Sequence, residues 1–83
     1  MRLIISPGAR RDLRKVPRDM SDRVAAAIRR LAEDPRPPGC LLLRDHEPPT
    51  WRVRVGDWRL LYEIDDAAGT LTITGVHRRD QAY

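Results

Sequence analysis

The sequence predicts an α+β domain in the order β-α-α-β-β-β, a mostly antiparallel sheet with two helices packed on one of its faces. Three observations lead there. Apolar residues recur at helical spacing before residue 34, five of the seven prolines fall between residues 35 and 50, and apolar and polar residues alternate strictly from residue 51. Eighty-three residues is close to the size at which a single core only just stabilises a fold, so helices and sheet should share one core in two layers. There is no internal repeat, and residues 1–83 read as a single domain.

Arg2 to Ile5 is a short β-type run ended by Ser6-Pro7-Gly8. Ser6 is placed to cap a helix, with Pro7 at the first helical position, where its missing N–H costs nothing. Ala9, Leu13 and Val16 follow at helical spacing until Pro17 closes the segment. A longer helix is expected from about Arg18 to Glu33, with Met20, Val24, Ala27, Ile28 and Leu31 as its apolar stripe and Asp34-Pro35 as its stop. The proline-rich stretch is a connector, in which Leu41 to Leu43 either packs beneath it or forms an edge strand.

Trp51 to Glu63 reads as a hairpin turning on Gly56-Asp57. With only two turn residues, Val55 pairs with Trp58, Val53 with Leu60 and Trp51 with Tyr62, which makes one continuous apolar face. The other face sets Arg54 across from Arg59, with Arg52 one step along. Like charges opposed on a ladder destabilise it, so a polyanion is the natural partner for this cluster. After a turn at residues 65–69, Thr70 to Val76 is the last strand. If Ile64 opposes Leu71, Tyr62 faces Ile73, Leu61 faces Thr74 and Arg59 faces Val76. Arg78 then joins Arg52, Arg54 and Arg59 on one open face, and His77 turns to the core unless a bulge at Gly75 shifts the register. Arginines neutralise phosphates and Tyr83, on the free end, can stack on a base, a combination suited to single-stranded nucleic acid. The plainer reading is an ordinary wet sheet face. Four arginines with only Glu63 among them favour the first.

Composition narrows the class further. The chain has 16 Lys+Arg against 12 Asp+Glu, net +4, and fifteen of the cations are Arg, the side chain suited to bidentate phosphate contacts. Residues 10–30 carry eight cations and three acids, which is first of all the solvated side of two amphipathic helices and secondly a surface for a nucleic-acid backbone. The single cysteine, Cys40, excludes an intramolecular disulfide and suits a reducing cytoplasm. No signal peptide or membrane-spanning run is evident, so a cytoplasmic protein without membrane contact is expected. Trp51, Trp58 and Tyr62 have core parity and are expected to fill the core. His46 stands between Asp45 and Glu47 without further ligands at metal-binding spacing, so neither a metal nor a cofactor is expected. His77 is a possible acid or base near neutral pH, set against the commoner structural role.

The segments Ala-Arg-Arg-Asp-Leu-Arg-Lys-Val-Pro (9–17), Trp-Arg-Val-Arg-Val-Gly-Asp-Trp-Arg-Leu-Leu-Tyr-Glu-Ile (51–64) and Gly-Val-His-Arg-Arg-Asp (75–80) closely resemble the RelE/ParE toxin superfamily, on its RelE side. The resemblance covers nearly the whole chain in the family's order. It implies a toxin of a type II toxin–antitoxin pair that enters the ribosomal A site and cuts mRNA during translation. The cut needs no metal: the ribose 2′-OH attacks the adjacent phosphate. The resemblance points to Arg52, Arg54, Arg59, Arg78 and Tyr83, with Arg59 stabilising charge on the phosphate, Arg78 assisting departure of the 5′-oxygen, and Tyr83 stacking on or orienting a base. It further implies a RelB-like antitoxin as partner, and operator DNA as a partner only through the antitoxin complex. Two departures stand out. Arg52 and Arg54 replace the lysines of the ribosome-dependent pattern and cannot act as bases, since arginine keeps its proton. The tail also has one extra residue before Tyr83. His77, Asp80 or the ribosome itself is then left as the base. The alternatives are a ParE-like toxin that binds DNA gyrase and cuts nothing, or an inactive module that binds only antitoxin and operator.

Overall fold

The structure, a computed structural model, describes residues 1–79. Its elements are β1 (Arg2–Ile5), α1 (Pro7–Leu13), α2 (Arg18–Glu33), β2 (Leu41–Leu42), β3 (Trp51–Val55), β4 (Trp58–Asp65) and β5 (Thr70–Arg78). They form a five-stranded sheet in the order β1-β5-β4-β3-β2, antiparallel except for the β1–β5 pair. The α+β architecture is the one the sequence predicts, with the two-residue β2 added at the edge. Tyr83 and Asp80 lie outside the described residues.

The helices start where their signals place them, but α1 ends at Leu13, short of the expected stop at Pro17, and Val16 reaches the core from the turn that follows. The Ser6 side chain accepts a hydrogen bond from the Ala9 N–H at 3.1 Å, satisfying one of the donors that a helix start leaves unpaired. Along α2, Val24, Ile28 and Leu31 recur at intervals of four and three and are buried together against the sheet. Leu60, Tyr62, Leu71 and Ile73 are wholly buried and form the sheet's side of the same core, which Ala9 and Val16 close.

The hairpin has the expected register, with Val55↔Trp58, Arg54↔Arg59, Val53↔Leu60 and Trp51↔Tyr62 directly opposed. Gly56 takes φ +60° at the first turn position, a conformation that glycine reaches without strain. The β4–β5 register departs from expectation. It runs Tyr62↔Ile73 and then, across a bulge, Leu61↔Gly75, Leu60↔Val76, Arg59↔His77 and Trp58↔Arg78. The expected pairs Leu61–Thr74 and Arg59–Val76 are therefore corrected by one residue. The extra residue turns Val76 inward, where it is 2 % exposed, and turns His77 to the other face. Two side chains hold the irregular backbone: Thr74 Oγ1 donates to the Leu61 carbonyl at 3.2 Å, and the Val76 N–H donates to Asp12 Oδ2 at 3.0 Å. Strand β1 ends opposite Ile73, so beyond that point the edge of β5 meets α1 instead of a strand.

Candidate functional site

On the face away from the helices, the register builds two rows across three strands. Arg54, Arg59 and His77 are successive neighbours in one, and Arg52, Leu61 and Gly75 in the next. Arg54 is exposed, whereas Arg52, Arg59 and His77 are half-buried. Leu61 is 6 % exposed although it lies outside the main core cluster, so the basic face rests on an apolar floor. The Nε of Arg52 is buried with no hydrogen-bond partner among the described residues. The Arg59 guanidinium is held in place: its Nη1 donates to the Arg79 carbonyl at 2.7 Å. The Arg79 N–H in turn donates to Asp57 O at 2.8 Å, continuing the β4–β5 ladder alongside the hairpin turn.

Gly75 is what lets His77 lie on this face. A Cβ there would stand 2.8 Å from Nε2 of the imidazole, closer than real Cβ contacts come. The ring is flanked on the helix side by Asp12, whose Oδ2 lies 3.8 Å from Nε2. On the sheet side Arg59 is its direct neighbour.

Arg78 does not join that face by register, which corrects the four-arginine expectation. It pairs with Trp58 and its Cζ lies 5.9 Å from the centroid of the Trp58 ring, at the exposed rim. The bulge is the cause, since one inserted residue exchanges the faces of everything beyond it. His77 occupies the place that Arg78 was expected to fill. Sequence reasoning named the bulge at Gly75 only as a possibility and gave Asp12 no role. The one signal pointing to either was the glycine inside the last strand.

Tyr62 and Trp51 pack in or against the core, as their parity predicts. Tyr62 is buried and donates from its hydroxyl to the Pro35 carbonyl at 2.8 Å; burial, chiefly, pushes its phenol well above the usual range. Arg36 stacks over Trp51, 5.3 Å from the ring centroid, and forms a forked pair with Asp66 at 3.0 and 3.4 Å. Together these contacts tie the proline-rich connector to the sheet. Among the described residues no three His, Cys, Asp or Glu side chains stand together as metal ligands. No helix among those residues is long and apolar enough to cross a membrane.

Comparison with known proteins agrees with this architecture. Residues 3–83 match the family model described as the ParE toxin of the type II toxin–antitoxin system parDE. Among solved structures, a chain of the RelBE2 toxin–antitoxin complex from Mycobacterium tuberculosis is 33 % identical, with a TM-score of 0.82 over 94 % of this chain and 96 % of that one. The RelE–RelB complex of Pyrococcus horikoshii OT3 matches at 21 % identity and TM-score 0.81, over 98 % and 97 % of the two chains. The isolated Escherichia coli RelE toxin matches at 18 % and 0.80, over 98 % and 86 %. At those two identities the likeness is one of fold. No curated protein matches the sequence.

Proposed function

The chain belongs to the ParE toxin family of type II toxin–antitoxin systems, within the RelE/ParE superfamily, and on that premise we propose that it is an RNA-cutting member. It acts on mRNA in the ribosomal A site, in the cytoplasm, and a RelB-like antitoxin neutralises it. One observation carries the reading: Arg54, Arg59 and His77 form a single row across three strands, with Arg52 beside it. A binding surface needs cations only. This row also sets a group able to take a proton directly beside one able to stabilise an oxyanion.

The chemistry follows from that pairing. The imidazole of His77 takes the proton of a ribose 2′-OH as the 2′-oxygen forms its bond to the adjacent phosphorus. The bond from phosphorus to the 5′-oxygen breaks, and that oxygen takes a proton from solvent. Arg59, steadied by the Arg79 carbonyl, stabilises the charge building on the phosphate. Arg52 and Arg54 hold the flanking backbone, and Arg78 at the rim takes a further phosphate. Tyr83 is assigned to stack on a base.

Because the matching family model is described as ParE, one other reading stands beside it: a ParE-like toxin that acts on DNA gyrase and leaves RNA intact. Inducing the chain in cells and mapping mRNA ends separates the two. New ends should appear within translated frames. Arg59→Ala should reduce their yield by roughly 10²-fold or more, the scale of a lost oxyanion donor. His77→Ala should do the same. Growth arrest with DNA breakage and no new mRNA ends would give the molecule to the gyrase reading.

A further inference from the structure

Beyond Arg52 the outer edge of β3 has no strand beside it, because β2 pairs only with Trp51 and Arg52. Across from that edge stand the last two turns of α2 and, from the connector, Pro37 and Pro38, and between them lies a groove of about 400 Å³. Its apolar walls are Leu31, Val53 and those two prolines, and its charged walls are Arg30, Glu33, Asp34 and Arg54. The four charged residues are exposed, and the ion pairs found among the described residues use none of them. Arg30 and Glu33 are three apart on α2 and so share one side of the helix. Arg54 belongs to the groove and also to the row on the far face, where it opposes Arg59. The cationic surface therefore continues round the sheet edge into a space of the size that holds small ligands, on the order of 300–1,000 Å³.

We propose that this groove is a base-binding subsite for the RNA strand held on the cationic face, and that the base it takes is guanine. The inference rests on the reading of that face as a seat for single-stranded RNA, and it does not require the strand to be cut. Arg54 takes the phosphate where the strand rounds the sheet edge, and Arg30 adds a second cation to the same stretch of backbone. The attached base lies against Leu31, Val53 and the proline rings, out of water. The carboxylates of Glu33 and Asp34 then choose the base. A carboxylate only accepts hydrogen bonds. Guanine alone presents two donors side by side, N1–H and the 2-amino group, and a carboxylate takes both at once. Adenine and cytosine each place a ring lone pair beside their amino group, and uracil flanks its N3–H with two carbonyl oxygens, so each sets an acceptor against the carboxylate. The cations hold the strand and the acids read it.

The plain role of Glu33 and Asp34 is solubility, and in that role they would only repel RNA, whatever its bases. A chain carrying both Glu33→Gln and Asp34→Asn loses the two charges at constant shape, and with both side chains exposed its core is untouched. The probes are short fluorescent 2′-O-methyl RNAs, which have no 2′-OH to attack: all-uridine, and the same with one guanosine or one adenosine at each position in turn. Their binding to the purified chain is followed by anisotropy at low salt. At one position guanosine should bind roughly tenfold more tightly than adenosine, the scale of a bidentate base contact. In the double variant that preference should vanish while the all-uridine oligomer binds more tightly, since a repulsion is gone. Arg30→Ala should weaken every oligomer by the same factor, because a phosphate contact carries no base information. Equal binding of guanosine and adenosine at every position overturns the subsite, and so does a preference that survives in the double variant. If no oligomer binds in a salt-dependent way, the RNA reading of the face falls and the subsite with it. If the preference is present while the chain makes no new mRNA ends in cells, the subsite stands and the RNA-cutting reading falls.

Discussion

At Gly75 a hydrogen atom stands where a methyl group would lie 2.8 Å from Nε2 of His77, 3.3 Å from its Cδ2 and 3.5 Å from Cδ1 of Leu61. The backbone there is not in the left-handed region, so the demand for glycine is one of space alone. Gly75→Ala should swing the imidazole off the face while leaving the strand in place. mRNA cleavage by Gly75→Ala should fall roughly as far as in His77→Ala, within the 10²–10⁴-fold that a general base supplies. Melting should drop by only a few degrees, since one side chain moves and the core does not. Full cleavage by this variant would mean that His77 does not need its place over Gly75.

Among the elements, α1 is the one on which the site's edge depends, because it replaces a strand beside the second half of β5. With seven residues it has little stability of its own, and its Ser6 cap is correspondingly important. The same hydroxyl approaches the Thr74 carbonyl at 3.5 Å, so it also touches the bulge. Ser6→Ala should cost about 1 kcal/mol, and in a domain of this size about 4–8 °C of melting temperature. Ser6→Asp should retain most of it. Equal melting of Ser6→Ala and the parent would show that α1 is held by packing alone.

Strand β4 carries the second test, at Tyr62. Its buried phenol holds its proton above the ordinary 10.0, whereas the unfolded chain releases it near that value. Between those two points the native state binds more protons than the unfolded state, so stability falls as pH rises above about 10. Below that pH both states keep the proton and the group adds no pH dependence. Tyr62→Phe should lose about 1 kcal/mol near neutrality, from the bond to Pro35, and show a shallower alkaline decline. Parallel alkaline melting curves for the two proteins would refute this origin.

Across the whole molecule, charge is distributed by face. The core side of the sheet is apolar, the far side carries the cationic row, and the acids Asp65 and Asp66 lie at the opposite end of β4, where Asp66 pairs with Arg36. The net charge of +4 therefore understates the field over the site. Binding of a short single-stranded RNA through Arg52, Arg54 and Arg59 should weaken with salt at a log–log slope of about −2, roughly 0.7 for each phosphate neutralised. Arg54→Ala should flatten it by about one such step. A slope near zero would indicate that the face meets something other than a polyanion.

Most of the fold was legible in the chain because its signals are local. Ser6-Pro7, the i, i+4, i+7 spacing of Val24, Ile28 and Leu31, and the alternation either side of Gly56, broken at Leu61, each act within a few residues. Those patterns also determined the opposition of Arg54 and Arg59, since a two-residue turn leaves the hairpin no other register that buries its apolar face. The β4–β5 pairing was decided elsewhere. Whether β5 bulges depends on α1, sixty-four residues away, offering Asp12 to a stray N–H, and on the burial of Val76 in a core built by α2. No sequence pattern within β5 contains either term. One inserted residue therefore exchanged His77 and Arg78 between the faces, turning an expected patch of four arginines into three arginines beside an imidazole.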